Sequence, residues 1–452
     1  MLFQEYLYDI DFLSLYNNKI LPKKGGGRDN ISPETYKPIF EKELDWITEK
    51  LIDGSYKFSP YKEKLILKGR NKFPRVLSIP SVRDRFVLCL LNGYLSSQLG
   101  ISYMIPNLYI RKITDYIQET RNADEEIYFF KTDISSFYDN INQSVLINIL
   151  TDKIDGVALK LVVRAITTPT ITQASEANKV NCKGVPQGLA ISNILAAIYV
   201  QGFQKDIERR IGEGLFLRYV DDILVLSRHS EDFRKIIVDG IERYNLGLEL
   251  TESKTMDGHI ADGFDYIGYK IKGNLISVKK KNKDNFSNRL VKKCTLLRKQ
   301  FEDSSLRPRF TTEDQEFLDY AETDLNLMIS GFKVGNHNYG WISFFQKIND
   351  LTILYQFDSL VRKMLGKDFV GKISVNSIVR TYFGLLEKSG DGFVTDFDKV
   401  IGRGERIAYL RRFGYIRRSD EYDISNEEVE RLFIRMVSRF QKHSEMDIAE
   451  TS

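Results

Sequence analysis

Phe216-Leu217-Arg218-Tyr219-Val220-Asp221-Asp222-Ile223-Leu224-Val225-Leu226 sets two adjacent carboxylates between two apolar runs. Each run has the length and composition of a strand. The stretch reads as a β-hairpin with Asp221-Asp222 at its tip. Tight hairpins favour Asn-Gly or Asp-Gly, because a type I′ turn needs positive φ at both central residues, and Asp-Asp fills that role poorly. Two neighbouring carboxylates also repel unless a cation lies between them or water covers both. The pair is therefore either an exposed acidic turn or part of a divalent-cation site, and the rest of the chain must decide.

Upstream, residues 127–132 (Ile-Tyr-Phe-Phe-Lys-Thr) read as a further strand ending in Asp133-Ile134-Ser135-Ser136-Phe137-Tyr138-Asp139. Alone, Asp133 at that strand end reads as a cap; beside the hairpin it supplies a third carboxylate at a sheet rim, with Tyr138 nearby. Between the two, helical patterns fill about 143–166. A polar loop then ends in Gly184-Val185-Pro186-Gln187-Gly188, from which a helix is expected to run to about residue 207. Two glycines around Pro-Gln at a helix start expose backbone N–H groups and suit close approach of a base pair or phosphate. Downstream, a helix over 231–244 leads to Thr251-Glu252-Ser253-Lys254-Thr255 and a strand pair over 264–271.

The amino-terminal part carries Lys23-Lys24-Gly25-Gly26-Gly27-Arg28, either a plain linker or a loop whose backbone approaches a polyanion. A helix follows from Ser32, a suitable N-cap with Pro33 at the first helical position. Lys62, Lys64, Lys68, Arg70 and Lys72 alternate with Leu65 and Leu67, then Arg75 precedes a strand ending at Pro80. That alternation puts cations on one face of a twisted hairpin and aliphatics on the other, either as a solvated face or as an anion grip. Arg75 is the best placed to hold a phosphate group through two parallel bonds.

With 452 residues and 42% hydrophobic content the chain can build two or three packed domains. The formal net charge of +4 is small for that size, so a nucleic-acid partner would need a local basic patch. Residues 276–300 supply one, with nine Lys or Arg against Asp284 alone. Cys89, Cys182 and Cys294 lie far apart, which argues against a disulfide framework or a structural zinc site and fits a reducing cytosol. Glu5, Asp9 and Asp11 near the amino terminus do not suit a signal peptide, and no run reaches the ~20 apolar residues of a membrane span. A cytoplasmic protein without a membrane partner is expected. Apolar stripes through Leu351–Leu365, and through Val429, Phe433, Met436 and Phe440 behind a Ser425-x-x-Glu428 capping box, read as core packing in a helical carboxyl-terminal part. The Arg- and Tyr-rich stretch 403–418 between them is either an RNA contact or an ordinary surface.

Together these motifs, over roughly residues 20–275 and in this order, resemble the bacterial reverse transcriptase family with a group II intron-like palm. The Gly25 loop, Gly54-Ser55-Tyr56 and the segment from Arg75 to Arg85 resemble its fingers. The Asp133 segment resembles palm motif A, Gly184 to Gly188 motif B and Tyr219 to Asp222 the Tyr-x-Asp-Asp box. Lys254 stands where motif D carries its lysine, and Phe264 to Ile271 resembles the primer grip. Leu189 and Asn193 depart from the usual motif B, which has serine and proline there. Among subfamilies the chain is most like stand-alone enzymes of antiphage defence, since the Asn122-Ala123-Asp124-Glu125 stretch lacks the histidine of the retron element.

The resemblance implies an α+β right-hand polymerase: lead-in and fingers over 1–125, an antiparallel palm sheet over 126–275, a basic thumb start over 276–311, and an α-helical thumb and carboxyl-terminal extension over 312–452. It implies RNA-directed DNA synthesis from dNTPs, with Asp133, Asp221 and Asp222 holding two Mg²⁺ ions (Mn²⁺ as a substitute) and Lys254 serving the leaving pyrophosphate. Arg75, with Lys68 or Lys72, would contact the triphosphate. Tyr138 would exclude a 2′-hydroxyl and Gln187 would support the incoming nucleotide. Gly184, Gly188, Tyr219, Gly268, Lys279, Lys280, Lys281, Arg289, Lys292 and Lys293 would meet primer and template. The expected partners are an RNA template, which a co-encoded non-coding RNA could supply, a DNA primer or product, and dNTPs; a protein partner or second copy stays open. Template-independent or protein-primed synthesis, and a non-catalytic RNA-binding scaffold, are the alternatives.

Overall fold

The computed structural model describes residues 1–23, 25–67, 74–101, 104–123, 125–172, 179–387 and 393–449. They form two compact units, Met1–Met104 with Thr120–His259, and Ile105–Glu119 with Ile260–Ser452. The architecture is α+β, with small, mostly antiparallel sheets among many helices. No helix among the described residues is long and apolar enough to cross a membrane.

In the first unit, Ser32 caps the helix Pro33–Ile52 by accepting from the Thr35 N–H, and Pro33 takes the first helical position. The helix Val82–Leu99 is apolar almost all round and is a core helix: Phe86, Val87, Leu88, Leu90, Leu91, Tyr94 and Leu95 are all buried. Its first turn contains Asp84, itself fully buried. Asp84 accepts from the Tyr56 hydroxyl at 2.7 Å, the Ser81 hydroxyl at 2.8 Å and the Ser59 N–H at 3.1 Å. Burial pushes its carboxyl up, against the pull of these three donors. This one carboxylate ties the loop after the first long helix to the start of the core helix.

Strands β1 (Tyr61–Ile66) and β2 (Arg75–Ile79) pair antiparallel, with Ile66 opposite Arg75. Lys68 and Lys72 lie outside the described residues. The triple-glycine loop packs on protein: a Cβ on Gly27 would lie 2.7 Å from Ser81 backbone atoms, and Arg85 donates to the Gly25 carbonyl. The palm-like sheet has the order β5-β6-β3-β7, built from β3 (Tyr128–Asp133), β5 (Leu215–Tyr219), β6 (Asp222–Ser227) and β7 (Met256–His259), all antiparallel. A short β4 (Thr170–Ile171) runs parallel to β1. In β6, Ile223 to Leu226 are all fully buried, because the strand is covered on both faces. Ile223, Val225, Phe130 and Phe216 join the helices in the main core.

The helical expectation over 143–166 divides into Gln143–Thr151 and Gly156–Thr167, because Asp155 caps a new start. The expected helix to 207 likewise divides into Ser192–Tyr199 and Gln201–Ile211, with non-helical backbone at Val200.

In the second unit, β8 (Phe264–Tyr266), β9 (Tyr269–Lys272) and β10 (Leu275–Val278) form an antiparallel meander. The first residues of the basic stretch, from 276, are therefore strand, and the basic helix spans Lys280–Glu302. It buries Phe286, Leu290, Cys294 and Leu297, and it packs against the helix Thr352–Leu365. The 312–452 part also holds a small sheet that the helical reading missed, β11 (Phe332–Val334), β12 (His337–Tyr339) and β13 (Thr395–Asp396). Gly335-Asn336 between β11 and β12 is the turn signal that could have found its hairpin. The last helix, Asn426–Ala449, starts where expected: the Glu428 N–H donates to the Ser425 hydroxyl.

Asp84→Ala leaves the buried Tyr56 hydroxyl and two part-buried donors without their acceptor and should destabilise the first unit by roughly 3 kcal/mol. Chemical denaturation measures this; an unchanged midpoint would show that the network is not what holds the loop.

Candidate active site

The ladder between β3 and β6 pairs Tyr128 with Ser227 at one end and Asp133 with Asp222 at the other. On the other side of β6, Tyr219 pairs with Asp222, so the hairpin turn consists of Val220 and Asp221. This corrects the expected tip: Asp222 is the first residue of β6. Val220 takes φ +57°, a region a β-branched residue rarely enters. Arg218 Nη1 donates to its carbonyl at 2.7 Å, and the Ile134 N–H donates to the Asp221 carbonyl at 2.9 Å. The turn is thus fastened to the residue that follows Asp133.

The end of β3 is also fastened to the Lys254 segment. The Thr251 N–H donates to the Asp133 carbonyl at 2.7 Å, and the Thr132 and Thr255 hydroxyls share a 2.7 Å bond. The 3₁₀ turn Glu252–Lys254 then puts the Lys254 ammonium on Asp133 Oδ2. On β3 itself, Lys131 lies two residues before Asp133 and hence on the same face. Its Nζ is 3.3 Å from Asp222 Oδ1. Sequence reading did not single out Lys131. A lysine mid-strand at an even spacing from a candidate acid was the available signal.

Burial, and then the charge of Asp133, hold the Asp221 carboxyl above the ordinary carboxylate range; Lys254 and Arg75 pull the other way. Burial pushes Asp222 up to about 6, against the pull of Lys131 and with the push of both other acids. Asp133, Asp221, Asp222, Lys131, Lys254 and Arg75 therefore form one electrostatic cluster. Burial and the Asp221 charge also raise the Tyr219 phenol.

Tyr138 sits on the short helix Phe137–Asn140 after Ser136, whose φ is +44°. Its carbonyl accepts from the Val185 N–H at 2.8 Å and its hydroxyl donates to Asn193 Oδ1 at 2.6 Å. Gln187 Nε2 donates to Asp139 Oδ1 at 3.4 Å, and the Gln187 carbonyl accepts from the Ser78 N–H at 2.7 Å. The two glycines beside it clear protein backbone: a Cβ on Gly184 would lie 2.7 Å from the Tyr138 and Asp139 carbonyls, and one on Gly188 3.0 Å from that of Ser78. Asp139 and Asn193 are further polar groups that sequence reading left unassigned to the site.

The remaining sequence-predicted residues belong to the second unit. Gly268 forms the β8–β9 turn with Ile267, both at positive φ, and its carbonyl accepts from the Lys279 N–H and Asn282 Nδ2. Lys279 pairs with Asp265 at 3.5 Å and Lys293 with Asp324. Lys280, Lys281 and Lys292 are exposed on the basic helix, and Arg289 is half-buried.

The donor chemistry of this cluster fits a hard divalent cation. Three carboxylates share one rim, and a cation would offset the cost of ionising Asp221 and Asp222, whose carboxyls stand above the ordinary range. As they stand, however, Lys254 and Lys131 neutralise Asp133 and Asp222. No group of three or more acidic, His or Cys side chains is arranged to hold a metal among the described residues.

Residues 66–271 match the family model described as reverse transcriptase (RNA-dependent DNA polymerase). The putative COX1/OXI3 intron 2 protein of Saccharomyces cerevisiae is 23% identical over 328 residues, covering 58% of this chain and 38% of that protein. The group II intron-encoded protein LtrA of Lactococcus lactis is 22% identical over 269 residues, covering 55% of this chain and 42% of that protein. The chain spans less than half the length of these two relatives. A solved telomerase from Candida albicans aligns at TM-score 0.47 and 14% identity, covering 88% of this chain and 69% of that one. The segment 66–271 is a reverse transcriptase domain, similar to those of group II intron-encoded proteins.

Because burial raises the folded-state pKa of Asp222 to about 6, its ionisation opposes folding as pH rises from the ordinary carboxylate value through 6. With a chelator present, Asp222→Asn should therefore stabilise the protein at pH 8 by about 1–3 kcal/mol and give no gain at pH 3.5. Thermal melts at the two pH values check this, and equal effects at both would contradict it.

Proposed function

We propose that this chain is an RNA-directed DNA polymerase that builds DNA from dNTPs on an RNA template. The observation that carries this reading is the meeting of Asp133, Asp221 and Asp222 on one sheet rim within a reverse transcriptase domain. Asp133 and Asp221 would hold two Mg²⁺ ions, or Mn²⁺ in their place, with Asp222 as an outer ligand. When bound, such ions stabilise charge on the attacking and leaving oxygens.

Arg75 binds the triphosphate; its charge already acts on Asp221, which supports that placement. Lys68 or Lys72 adds a second cation. Lys254, once released from Asp133, gives the departing pyrophosphate a proton or a counter-charge. The Tyr138 ring lies under the sugar and excludes a 2′-hydroxyl. Gln187, braced by Asp139, supports the nucleotide against its template base. Gly184, Gly188 and Tyr219 face primer and template, and Gly268 with the lysines and arginine of 279–293 grips the duplex through salt-sensitive phosphate contacts. The fingers, palm, thumb and extension follow the sequence division at 125, 275 and 311. A cytoplasmic role in bacterial antiviral defence rests on the subfamily resemblance.

Purified protein with its co-purified RNA, Mg²⁺ and labelled dNTPs tests this, with sequencing of the product. DNA complementary to the bound RNA is expected, and Asp133→Ala or Asp221→Ala should lower incorporation by roughly a thousandfold or more without loss of folding. Random or homopolymeric product would favour untemplated synthesis; RNA binding without incorporation would favour a scaffold. Loss of phage protection in cells carrying Asp221→Ala checks the defence role.

A further inference from the structure

The Tyr138 ring is held at both ends. Its backbone carbonyl accepts from the Val185 N–H, and its hydroxyl donates to Asn193 Oδ1 at 2.6 Å. Asn193 is the second residue of the helix Ser192–Tyr199, whose next residues Ile194, Leu195 and Ala196 are buried in the main core. The amide is therefore presented from a rigid element. The ring packs against the main core and beside Phe137, with ring centroids 5.6 Å apart, which leaves its outer, partly exposed edge as the part that packing constrains least. A bond from the para hydroxyl to an acceptor on a fixed helix constrains that edge as well. Position 193 is also where this chain has Asn in place of the proline usual in motif B, so the acceptor comes with the departure.

We infer that Asn193 is a positioning residue for sugar selection: it clamps the Tyr138 ring in one orientation, and so sets how strongly a ribonucleotide is rejected. This rests on the reading of Tyr138 as the residue under the nucleotide sugar. An exposed hydrogen bond is a modest constraint, so its loss loosens the ring without removing it. The size of the effect should reflect that.

The test compares kcat/KM for deoxy- and ribonucleotides in the full-length protein with Mg²⁺, alongside melting temperature. Asn193→Ala and Tyr138→Phe should each reduce discrimination against ribonucleotides about 3–10-fold, chiefly through a lower KM for the ribonucleotide. The double variant should show no further loss, because both changes break one bond. Asn193→Asp keeps an acceptor and should retain discrimination, and the melting temperatures should stay together. If Tyr138→Ala abolishes discrimination while Asn193→Ala leaves it intact, the clamp is wrong and the sugar-contact reading stands. Additive losses in the double variant, or failure of Asn193→Asp to retain discrimination, also overturn the clamp. If Tyr138→Ala leaves sugar preference unchanged, the reading beneath it fails and the clamp falls with it.

Discussion

The antiparallel register between β3 and β6 is the constraint on which the candidate site depends. Asp133 opposite Asp222 puts two carboxylates on directly paired residues, and the two-residue turn adds Asp221 beside them. Strand side chains alternate, so a slip of one residue would turn Asp133 toward the helix-packed face, where Phe130 and Val225 now sit. Because Ile223 to Leu226 are buried on both faces, the apolar run by itself does not choose between those alignments; the paired backbone ladder and the two-residue turn hold this one. The strand pairing thus decides which charges meet at the rim.

Gathering acids on a half-buried rim has an electrostatic consequence. Asp221 and Asp222 are harder to ionise than ordinary carboxylates, first through desolvation, then Asp221 through Asp133 and Asp222 through both other acids. Lys131 and Lys254 offset part of this from opposite sides, one on the same strand and one on a separate turn. The two are not equivalent. Lys131 is largely enclosed, whereas Lys254 is half-exposed on a short 3₁₀ turn.

The segments around the rim are held by backbone bonds to each other. The Gly184–Gly188 loop reaches the Tyr138 helix through Val185 and the β2 strand through Gln187. Its glycines are needed where their Cβ atoms would strike carbonyl oxygens of those neighbours, so close chain approach within the protein is enough to explain them. The triple-glycine loop at 25–27 follows the same logic against Ser81. Glycine in a candidate ligand loop marks close backbone approach; which partner makes the approach is a tertiary matter.

Much of the local structure was legible in the sequence, because its causes are local. Ser32-Pro33 and Ser425-x-x-Glu428 start helices through their own side chains, and alternating or continuous apolar runs gave β3, β5 and β6. Asp133 and the Asp221-Asp222 pair stand out for the same reason, as charges at the ends of apolar strands. What lay beyond the sequence was everything set by neighbours distant in the chain. The pairing of β13 with the distant β11 follows from contacts between segments, whereas the Asp155 cap and the Gly335-Asn336 turn were local signals that the apolar periodicity overrode. Lys131 reads as an ordinary strand lysine, and Asn193 as an ordinary helix residue, until folding brings Asp222 and the Tyr138 hydroxyl to them. Side-chain type and spacing determine which element a segment forms; only the packed register determines which charges and donors meet, because that distance is fixed by the core and not by the chain between them.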